Sequence, residues 1–104
     1  MIKAIILDDG YHSKDVVVKF GKNYMRVSLS YFLNSLCRRH DSDYEVKTAF
    51  LEDIESDVVA RWFEALSNMN CHTPAIQSCV EFENLWDSDE IVDGIDLYRE
   101  RKTY

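Results

Sequence analysis

The first 28 residues constrain the fold most, because they hold three short apolar runs separated by turn residues. The runs are Ile2–Leu7, Asp15–Phe20 and Tyr24–Val27, and the second contains three consecutive valines. β-Branched side chains are stiff at χ1 and favour strands. The link Gly21-Lys22-Asn23 tolerates positive φ, which predicts a β-hairpin between the second and third runs. The N-terminal part is therefore predicted to form an antiparallel meander.

Helical periodicity begins where these strands end. Ser28 and Ser30 are candidate N-caps, and the helix is predicted to reach about His40. Its apolar face, spaced at i, i+3, i+4, i+7 and i+8, consists of Leu29, Phe32, Leu33, Leu36 and Cys37. The run Tyr44–Phe50 then alternates apolar and polar residues, as a half-buried strand does. A helix and a fourth strand are thus predicted after the meander.

Two further helices are predicted after that strand. The first begins at the N-cap Ser56, runs to about Met69 and carries a periodic apolar face. That face consists of Val58, Val59, Trp62, Phe63, Leu66 and Met69. The second begins at Thr73-Pro74, an N-cap followed by proline at the first helical position. A strand at Ser78–Phe82 is the alternative for this segment.

The last predicted helix begins at Ser88 and reaches about Lys102. Gly94 lies inside it at a cost of about 1 kcal/mol, so a break or a strand from Ile95 is the alternative. The predicted order is β-β-β-α-β-α-α-α. Strands first and helices later predict an α+β fold, one domain over residues 1–104, with helices packed on one face of an antiparallel sheet.

Charge is distributed unevenly along the chain, whose net charge is −7. Residues 1–40 carry seven cations against three acids, whereas residues 41–96 carry fifteen acids against two cations. Phosphate contacts depend on Lys and Arg, so the acidic balance argues against direct binding to nucleic acid or to an anionic membrane. No stretch reaches the ~20 apolar residues that cross a bilayer. The later half therefore predicts a protein partner with a basic surface.

Two groups of acids, with aromatic residues beside them, are the predicted partner-binding site. Carboxylates spaced along helices can imitate a row of phosphates and steer a basic partner, while Trp and Tyr are frequent contact anchors. The predicted site consists of Glu52, Asp53, Glu55, Asp57, Trp86, Asp87, Asp89, Glu90, Asp93 and Tyr98. The alternative is a solvated acidic face whose rings belong to the core.

This acidic composition is typical of inhibitors made by phages and mobile elements. We therefore expect a non-enzymatic module, with no catalytic residue and no cofactor, that inhibits a nucleic-acid-processing protein through its basic surface. The three cysteines are an odd number, which favours reduced thiols over a disulfide framework. The apolar run Ala4–Leu7 is too short for a signal peptide, so a cytoplasmic location is expected.

A small metal-dependent enzyme is the alternative from another functional class. Asp8 and Asp9 end the first strand, and with His12 they offer oxygen and nitrogen ligands to a cation such as Mg²⁺. Such sites belong to parallel sheets, whereas here the next strand returns within a few residues. Cys37-x-x-His40 and Cys71-His72 also offer four zinc ligands, but their spacing does not match zinc motifs. No metal site is therefore predicted.

A structural oligomer is the third alternative. The basic residues of the first part could pair with the acidic half of a second copy, giving a homo-oligomer. These residues are Lys19, Lys22, Arg26, Arg38 and Arg39. Lysines at a hairpin also protect an exposed edge strand, which is the simpler explanation.

Overall fold

The protein is built on one five-stranded sheet that helices cover. The structure, a computed structural model, describes residues 2–11, 14–37, 44–67 and 79–99. The strands are β1 (Ile2–Asp8), β2 (Asp15–Phe20), β3 (Asn23–Ser28), β4 (Tyr44–Phe50) and β5 (Ile91–Asp93). The helices are α1 (Leu29–Tyr31, continuing as a π-helical turn over Phe32–Leu36), α2 (Ser56–Ser67), α3 (Val80–Trp86) and α4 (Ile95–Arg99). A 3₁₀ turn, Leu51–Asp53, precedes α2, and the strand order is β3-β2-β1-β4-β5.

The predicted α+β class and the N-terminal meander are confirmed. β1 pairs antiparallel with β2, and β2 pairs antiparallel with β3. Phe20 lies opposite Asn23, so the loop between β2 and β3 has two residues. Gly21 is the first of them and has a φ of 63°. The first position of a type II′ turn requires this left-handed region. Ser28 accepts a hydrogen bond from the Tyr31 backbone N at 3.1 Å, so the predicted N-cap of α1 is confirmed.

The structure differs from the sequence expectation in how the sheet is covered. β4 pairs parallel with β1, because α1 carries the chain across one face before β4 begins, and the sheet is therefore mixed. Helices lie on both faces rather than one. The alternating side chains of β1 explain this: Ile5 packs with α2 and α3, whereas Ile6 on the opposite face packs with α1 and α4. A central strand that is apolar on both faces needs two covering layers.

The predicted helix from Ser88 to Lys102 is wrong in its first half. Residues Ile91–Asp93 form β5, which pairs antiparallel with β4, and the helical part of this segment, as far as the structure describes it, is Ile95–Arg99. Gly94 separates the end of β5 from the beginning of α4, which agrees with the alternative prediction of a break at this glycine. Backbone pairing with β4 satisfies amide groups at the sheet edge, and this non-local gain outweighs local helix propensity.

The segment after α2 is described only in part. The predicted helix start at Thr73-Pro74 lies outside the described residues. Within them, Val80–Trp86 is helical, which excludes the alternative strand for the part of Ser78–Phe82 that is described. None of the helices in the described part of the chain combines the length and the apolar character that crossing a bilayer requires.

Candidate functional site

A groove of about 390 Å³ lies between the start of α2 and one face of α3. Its lining combines buried or half-buried apolar residues with acids that are exposed or half-buried. The apolar lining residues are Ile54, Val58, Trp62 and Leu85, and the polar ones are Asp53, Glu55, Arg61, Glu81, Asn84, Ser88 and Glu90. This volume is within the range of ligand sites and is sufficient for a few side chains. We call this site the acidic groove.

The chain between β4 and α2 brings two carboxylates to the acidic groove. Leu51 is buried in the core beneath α2, and Ile54 packs against the same core. These two apolar anchors fix the intervening backbone against the sheet. Asp53 and Glu55, on either side of Ile54, stay exposed and line the groove. The position of both acids therefore follows from the burial of their apolar neighbours.

Helix α3 supplies the opposite wall. Phe82 and Trp86 are buried, with parallel rings whose centroids are 5.8 Å apart. Glu81, Asn84 and Leu85 line the acidic groove. Their spacing of three and four residues places them on one helix face. Packing of the aromatic face against the sheet thus turns this second face toward α2.

The acidic groove carries an excess of negative charge. Four carboxylates line it, from Asp53, Glu55, Glu81 and Glu90, against the single cation Arg61. Both ion pairs found within the described ranges lie outside this lining. No cation of the described residues therefore forms a salt bridge with the groove carboxylates, and their field extends into the solvent.

Hydrogen bonding favours the ionised form of Glu90, at one rim of the acidic groove. The Ser88 hydroxyl donates to Glu90 Oε2 and accepts from the Glu90 backbone N at 3.2 Å. The bond from Ser88 lowers the pKa of Glu90. Near Glu81, the Cys79 Sγ lies 4.0 Å from Oε2, and burial raises the pKa of this thiol. The Cys79 thiol is therefore not disposed to form a reactive thiolate.

Trp62 contributes a buried donor to the lining. Its side chain is 3% exposed, and its ring lies 6.4 Å from that of Phe82 at 39°. The indole Nε1 is fully buried and has no acceptor among the residues that the structure describes. Buried polar groups are nearly always hydrogen-bonded, which makes this donor exceptional.

The structure brings part of the predicted acidic site together. Asp53, Glu55 and Glu90 line the acidic groove although they come from different ends of the later half. The remaining predicted acids are exposed but lie outside the lining: Glu52, Asp57, Asp87, Asp89 and Asp93. Two sequence groups thus meet at one groove.

The two predicted aromatic contacts require correction. Trp86 is 6% exposed and Tyr98 is 5% exposed, so neither ring is presented to a partner. Trp86 lies beneath Lys47 and Lys3, whose Nζ atoms are 4.6 and 5.2 Å from its ring centroid. The Tyr98 hydroxyl donates to Asp8 Oδ2 at 2.5 Å. Both rings belong to the core, as the alternative interpretation of the sequence predicted.

Cations of the first part are largely engaged within the chain. Lys19 pairs with Glu83, which also accepts from the Tyr24 hydroxyl at 2.9 Å. Arg26 donates to the Leu66 backbone oxygen at 3.3 Å. These contacts weaken the idea that a basic half pairs with a second copy. Of the other predicted cations, Lys22 is exposed, while Arg38 and Arg39 lie outside the described residues.

The Lys19–Glu83 pair gives a testable pH dependence. Hydrogen bonding to Lys19 lowers the pKa of Glu83, and hydrogen bonding to Glu83 raises the pKa of Lys19. The carboxylate therefore stabilises the fold above its unfolded pKa, and this contribution is lost as pH falls through the lowered folded pKa. We expect Glu83→Gln to cost about 0.5–1 kcal/mol at pH 7, since the pair is partly solvated.

Urea denaturation from pH 7 to pH 3 measures this effect. The stability difference between Glu83→Gln and the unsubstituted chain should shrink as the carboxyl protonates below its ordinary pKa. Glu64→Gln, an exposed acid of α2 with no side-chain ion pair in the described ranges, is the control and should show no such change. A Glu83→Gln difference that stays constant over this range would contradict the assignment.

Asp8 and Asp9 do not converge on a common point. Asp8 Oδ1 accepts from the Gly10 backbone N at 2.9 Å and Oδ2 accepts from Tyr98, so each oxygen already has a donor. Burial raises the pKa of Asp8, but the hydrogen bonds outweigh it and the net shift is downward. Asp9 is exposed, and its Oδ1 accepts from the Tyr11 backbone N at 2.8 Å. These acids stabilise a turn and dock α4.

The zinc alternative falls mostly outside the described residues. Cys37 is buried on α1, whereas His12, His40, Cys71 and His72 are not described. Across ranges 2–11, 14–37, 44–67 and 79–99, no three His, Cys, Asp or Glu side chains are grouped as a metal site requires. The acidic groove is therefore the strongest candidate site in this part of the chain.

Sequence reasoning did not select Arg61, Trp62, Glu81 or Asn84 as site residues. Trp62 was expected in the core, where most of its ring indeed lies. Glu81, Asn84 and Leu85 did carry a signal, since their spacing marks a polar-rimmed helix face. This pattern identifies a site only when α3 is known to face α2.

Comparison with known proteins provides no precedent for the acidic groove. The chain matches no protein-family model, and no curated protein or solved structure is significantly similar to it. The functional argument therefore depends on the geometry and charge of the groove itself.

Proposed function

We propose that this chain is a non-enzymatic protein-binding module whose acidic groove takes a basic segment of a partner protein. The observation that carries the proposal is the convergence of two acid groups, distant in sequence, around an apolar floor. Asp53 and Glu55 come from the entry to α2, and Glu81 and Glu90 come from α3 and the turn after it. A solvated acidic face would need no such groove.

The chemistry of the lining favours a cationic side chain with an aliphatic stem. Lys and Arg place their methylene groups on apolar surface while the charged end reaches carboxylates. The half-buried Ile54 and Val58 offer the apolar surface, and Asp53 with Glu55 offer the charge. Exposed ion pairs are individually weak, so affinity requires several such contacts together. A segment with two or more basic residues supplies them.

Long-range charge adds to the rate of binding. The exposed acids around the groove share one sign, and fields of this kind raise association rates by ~10–10³ at low salt. The effect is screened beyond about 8–10 Å at physiological salt. A basic partner would thus be drawn to the acidic half before the groove is filled.

Removing the groove charges is expected to weaken binding of a basic peptide. The probe is a capped peptide of alternating arginine and leucine, and the variant is Asp53→Asn with Glu55→Gln. We expect a loss of about tenfold in affinity, because two charge contacts of about 0.5–1 kcal/mol each are lost. Isothermal titration calorimetry at 50 and 150 mM salt measures it.

A matched variant tests whether position or total charge matters. The variant Glu52→Gln with Glu64→Gln also removes two negative charges, but from exposed positions outside the groove lining. It should bind the peptide within about twofold of the unsubstituted chain, because exposed charges that make no direct contact with the peptide contribute little at physiological salt. Equal losses in the two double variants would show that net charge, and not the groove, governs binding.

The proposal extends to the class of partner. Nucleic-acid-processing proteins carry basic grooves that bind phosphates, and an acidic module seated there would act as an inhibitor by imitating the nucleic acid. Such an inhibitor must compete with the nucleic acid for the partner. A partner captured by the chain that binds DNA or RNA equally well in its presence would limit the proposal to simple protein binding.

A further inference from the structure

The turn between β2 and β3 carries an exposed aromatic ring beside an exposed cation. Phe20, the last residue of β2, is 56% exposed, and Lys22 in the two-residue loop is exposed as well. Neither ion pair found among the described residues involves Lys22. A single exposed apolar side chain is ordinary on a protein surface, so the ring alone indicates nothing. The ring and the lysine together form a basic, apolar surface, and we call residues 20–23 the hairpin tip.

Backbone pairing gives the hairpin tip a defined shape. Phe20 and Asn23 lie opposite each other at the end of the ladder, and Gly21 takes the positive φ of the turn. Immediately before the tip, Lys19 is paired with Glu83 of α3. The tip is therefore preorganised, and its binding to another surface would cost little conformational entropy.

The hairpin tip cannot fill the acidic groove of its own chain. Val16 and Val18 pack in the core layer that contains α1 and α4. Side chains alternate along a strand, so Phe20 points to the same face of the sheet as these two valines. The acidic groove lies on the opposite face, between α2 and α3, and no residue of the tip is part of its lining. A contact between tip and groove therefore needs a second copy of the chain.

The hairpin tip and the acidic groove are complementary in charge and in polarity. Four carboxylates line the groove against one cation, whereas residues 19–23 contain two lysines and no acid. The half-buried Ile54 and Val58 offer apolar surface on which an aromatic ring can pack. A lysine beside that ring can lay its methylene groups on the same surface while its ammonium group reaches the carboxylates. The chain thus carries both the groove and a segment of the kind that the groove is proposed to bind.

We propose that the acidic groove binds the hairpin tip of a second copy, with Phe20 on the apolar floor and Lys22 among the carboxylates. This inference rests on the proposed function and adds to it a second occupant of the same groove. The contact joins two different surfaces, so association is head-to-tail unless two copies exchange their tips reciprocally. By mass action, self-association would leave fewer grooves free for a partner at high protein concentration.

Charge reversal on the two sides of the contact tests the pairing. Sedimentation velocity of the full chain, at up to about 1 mM protein and about 50 mM salt, measures self-association. Lys22→Glu alone, or Asp53→Lys with Glu55→Lys, should weaken it about tenfold, because like charges would then meet at the contact. An equimolar mixture of the two variants should associate to within about threefold of the unsubstituted chain, because each tip then faces a groove of opposite charge. A mixture that stays monomeric would overturn the proposal.

A second pair of variants tests the aromatic ring. Phe20→Ser should weaken self-association about tenfold, because the apolar surface that the ring buries at the contact is lost. Leu97→Ser is the control, since Leu97 is 45% exposed on α4, outside both the hairpin tip and the groove lining. It should leave self-association unchanged. Equal losses in the two variants would show that exposed apolar surface in general, and not the tip, causes the association.

Titration with the capped arginine–leucine peptide separates this inference from the proposed function. The peptide should dissociate the self-associated chain, because both occupy the acidic groove. A chain that binds the peptide but is monomeric at about 1 mM would overturn this inference and leave the binding module intact. Self-association that persists when the peptide is saturating would overturn it too. If the chain neither self-associates nor binds the peptide, the inference and the proposed function both fail.

Discussion

Gly94→Ala is expected to lower the free energy of unfolding by about 3 kcal/mol or more. A Cβ at this position would overlap Thr48 Oγ1 and lie 2.7 Å from Thr48 Cβ and 3.0 Å from the Thr48 backbone N. Thr48 is fully buried in β4, and the Gly94 backbone N donates to the Val46 oxygen at 3.2 Å. Neither side of the contact can move away without breaking the β4–β5 edge of the sheet.

Gly10→Ala is the control, because it measures the cost of placing alanine at a glycine with positive φ without a steric overlap. Gly10 has a φ of 84°, but among the described residues, apart from its two chain neighbours, no atom lies within 4 Å of an added Cβ. Alanine there should cost only about 1 kcal/mol, from the left-handed backbone alone. Urea denaturation followed by circular dichroism measures both variants. Similar losses at the two glycines would show that the contact with Thr48 is not the dominant cost.

Phe82→Ala is expected to cost about 3–5 kcal/mol, the usual range for deleting a fully buried aromatic ring. Phe82 is fully buried in α3, with its ring 5.3 Å from Tyr24, 5.8 Å from Trp86 and 6.4 Å from Trp62. The side chain thus joins the sheet, α2 and α3 at one point. Its loss should also reduce peptide binding, because α3 forms one wall of the acidic groove.

Val80→Ala in the same helix is the matched control. Val80 is exposed on α3, so its truncation should change stability by no more than about 0.5 kcal/mol. Phe82→Leu, which keeps much of the buried volume, should fall between the two. Thermal unfolding and peptide titration are measured on each variant. A Phe82→Ala protein as stable as Val80→Ala would mean that α3 is not held by this ring.

Local sequence signals were sufficient for the first half of the fold. The hairpin at Gly21 depends on two adjacent loop residues, and the N-cap at Ser28 depends on a backbone amide three residues away. Such features need no information about distant contacts. The periodic apolar face of α2 was likewise predictable, since it depends only on the helix repeat.

Non-local pairing could not be predicted in the same way. Ile91–Asp93 becomes β5 because β4 offers an open edge, whereas the same residues fit a helix when judged alone. The parallel pairing of β1 with β4 and the second layer of helices also depend on where α1 crosses the sheet. Both strand pairings join residues that lie more than thirty positions apart in the sequence.

The candidate site was predictable in its charge but not in its geometry. Asp53, Glu55 and Glu90 were selected as acids, yet nothing in the sequence places the entry of α2 opposite α3. Trp86 and Tyr98 were selected as exposed rings because they lie among acids. A helix pattern shows which residues share a face, but the tertiary packing decides which face is turned to solvent.

The two-sided packing of β1 has a mechanical consequence. Ile5 and Ile6 are neighbours in the chain but belong to opposite layers of the molecule. Loss of either layer would expose every second side chain of β1 to water. The remaining layer packs on the same strand, so it would lose support as well. Both core layers therefore depend on β1, and a substitution that destabilises one layer is expected to destabilise the other.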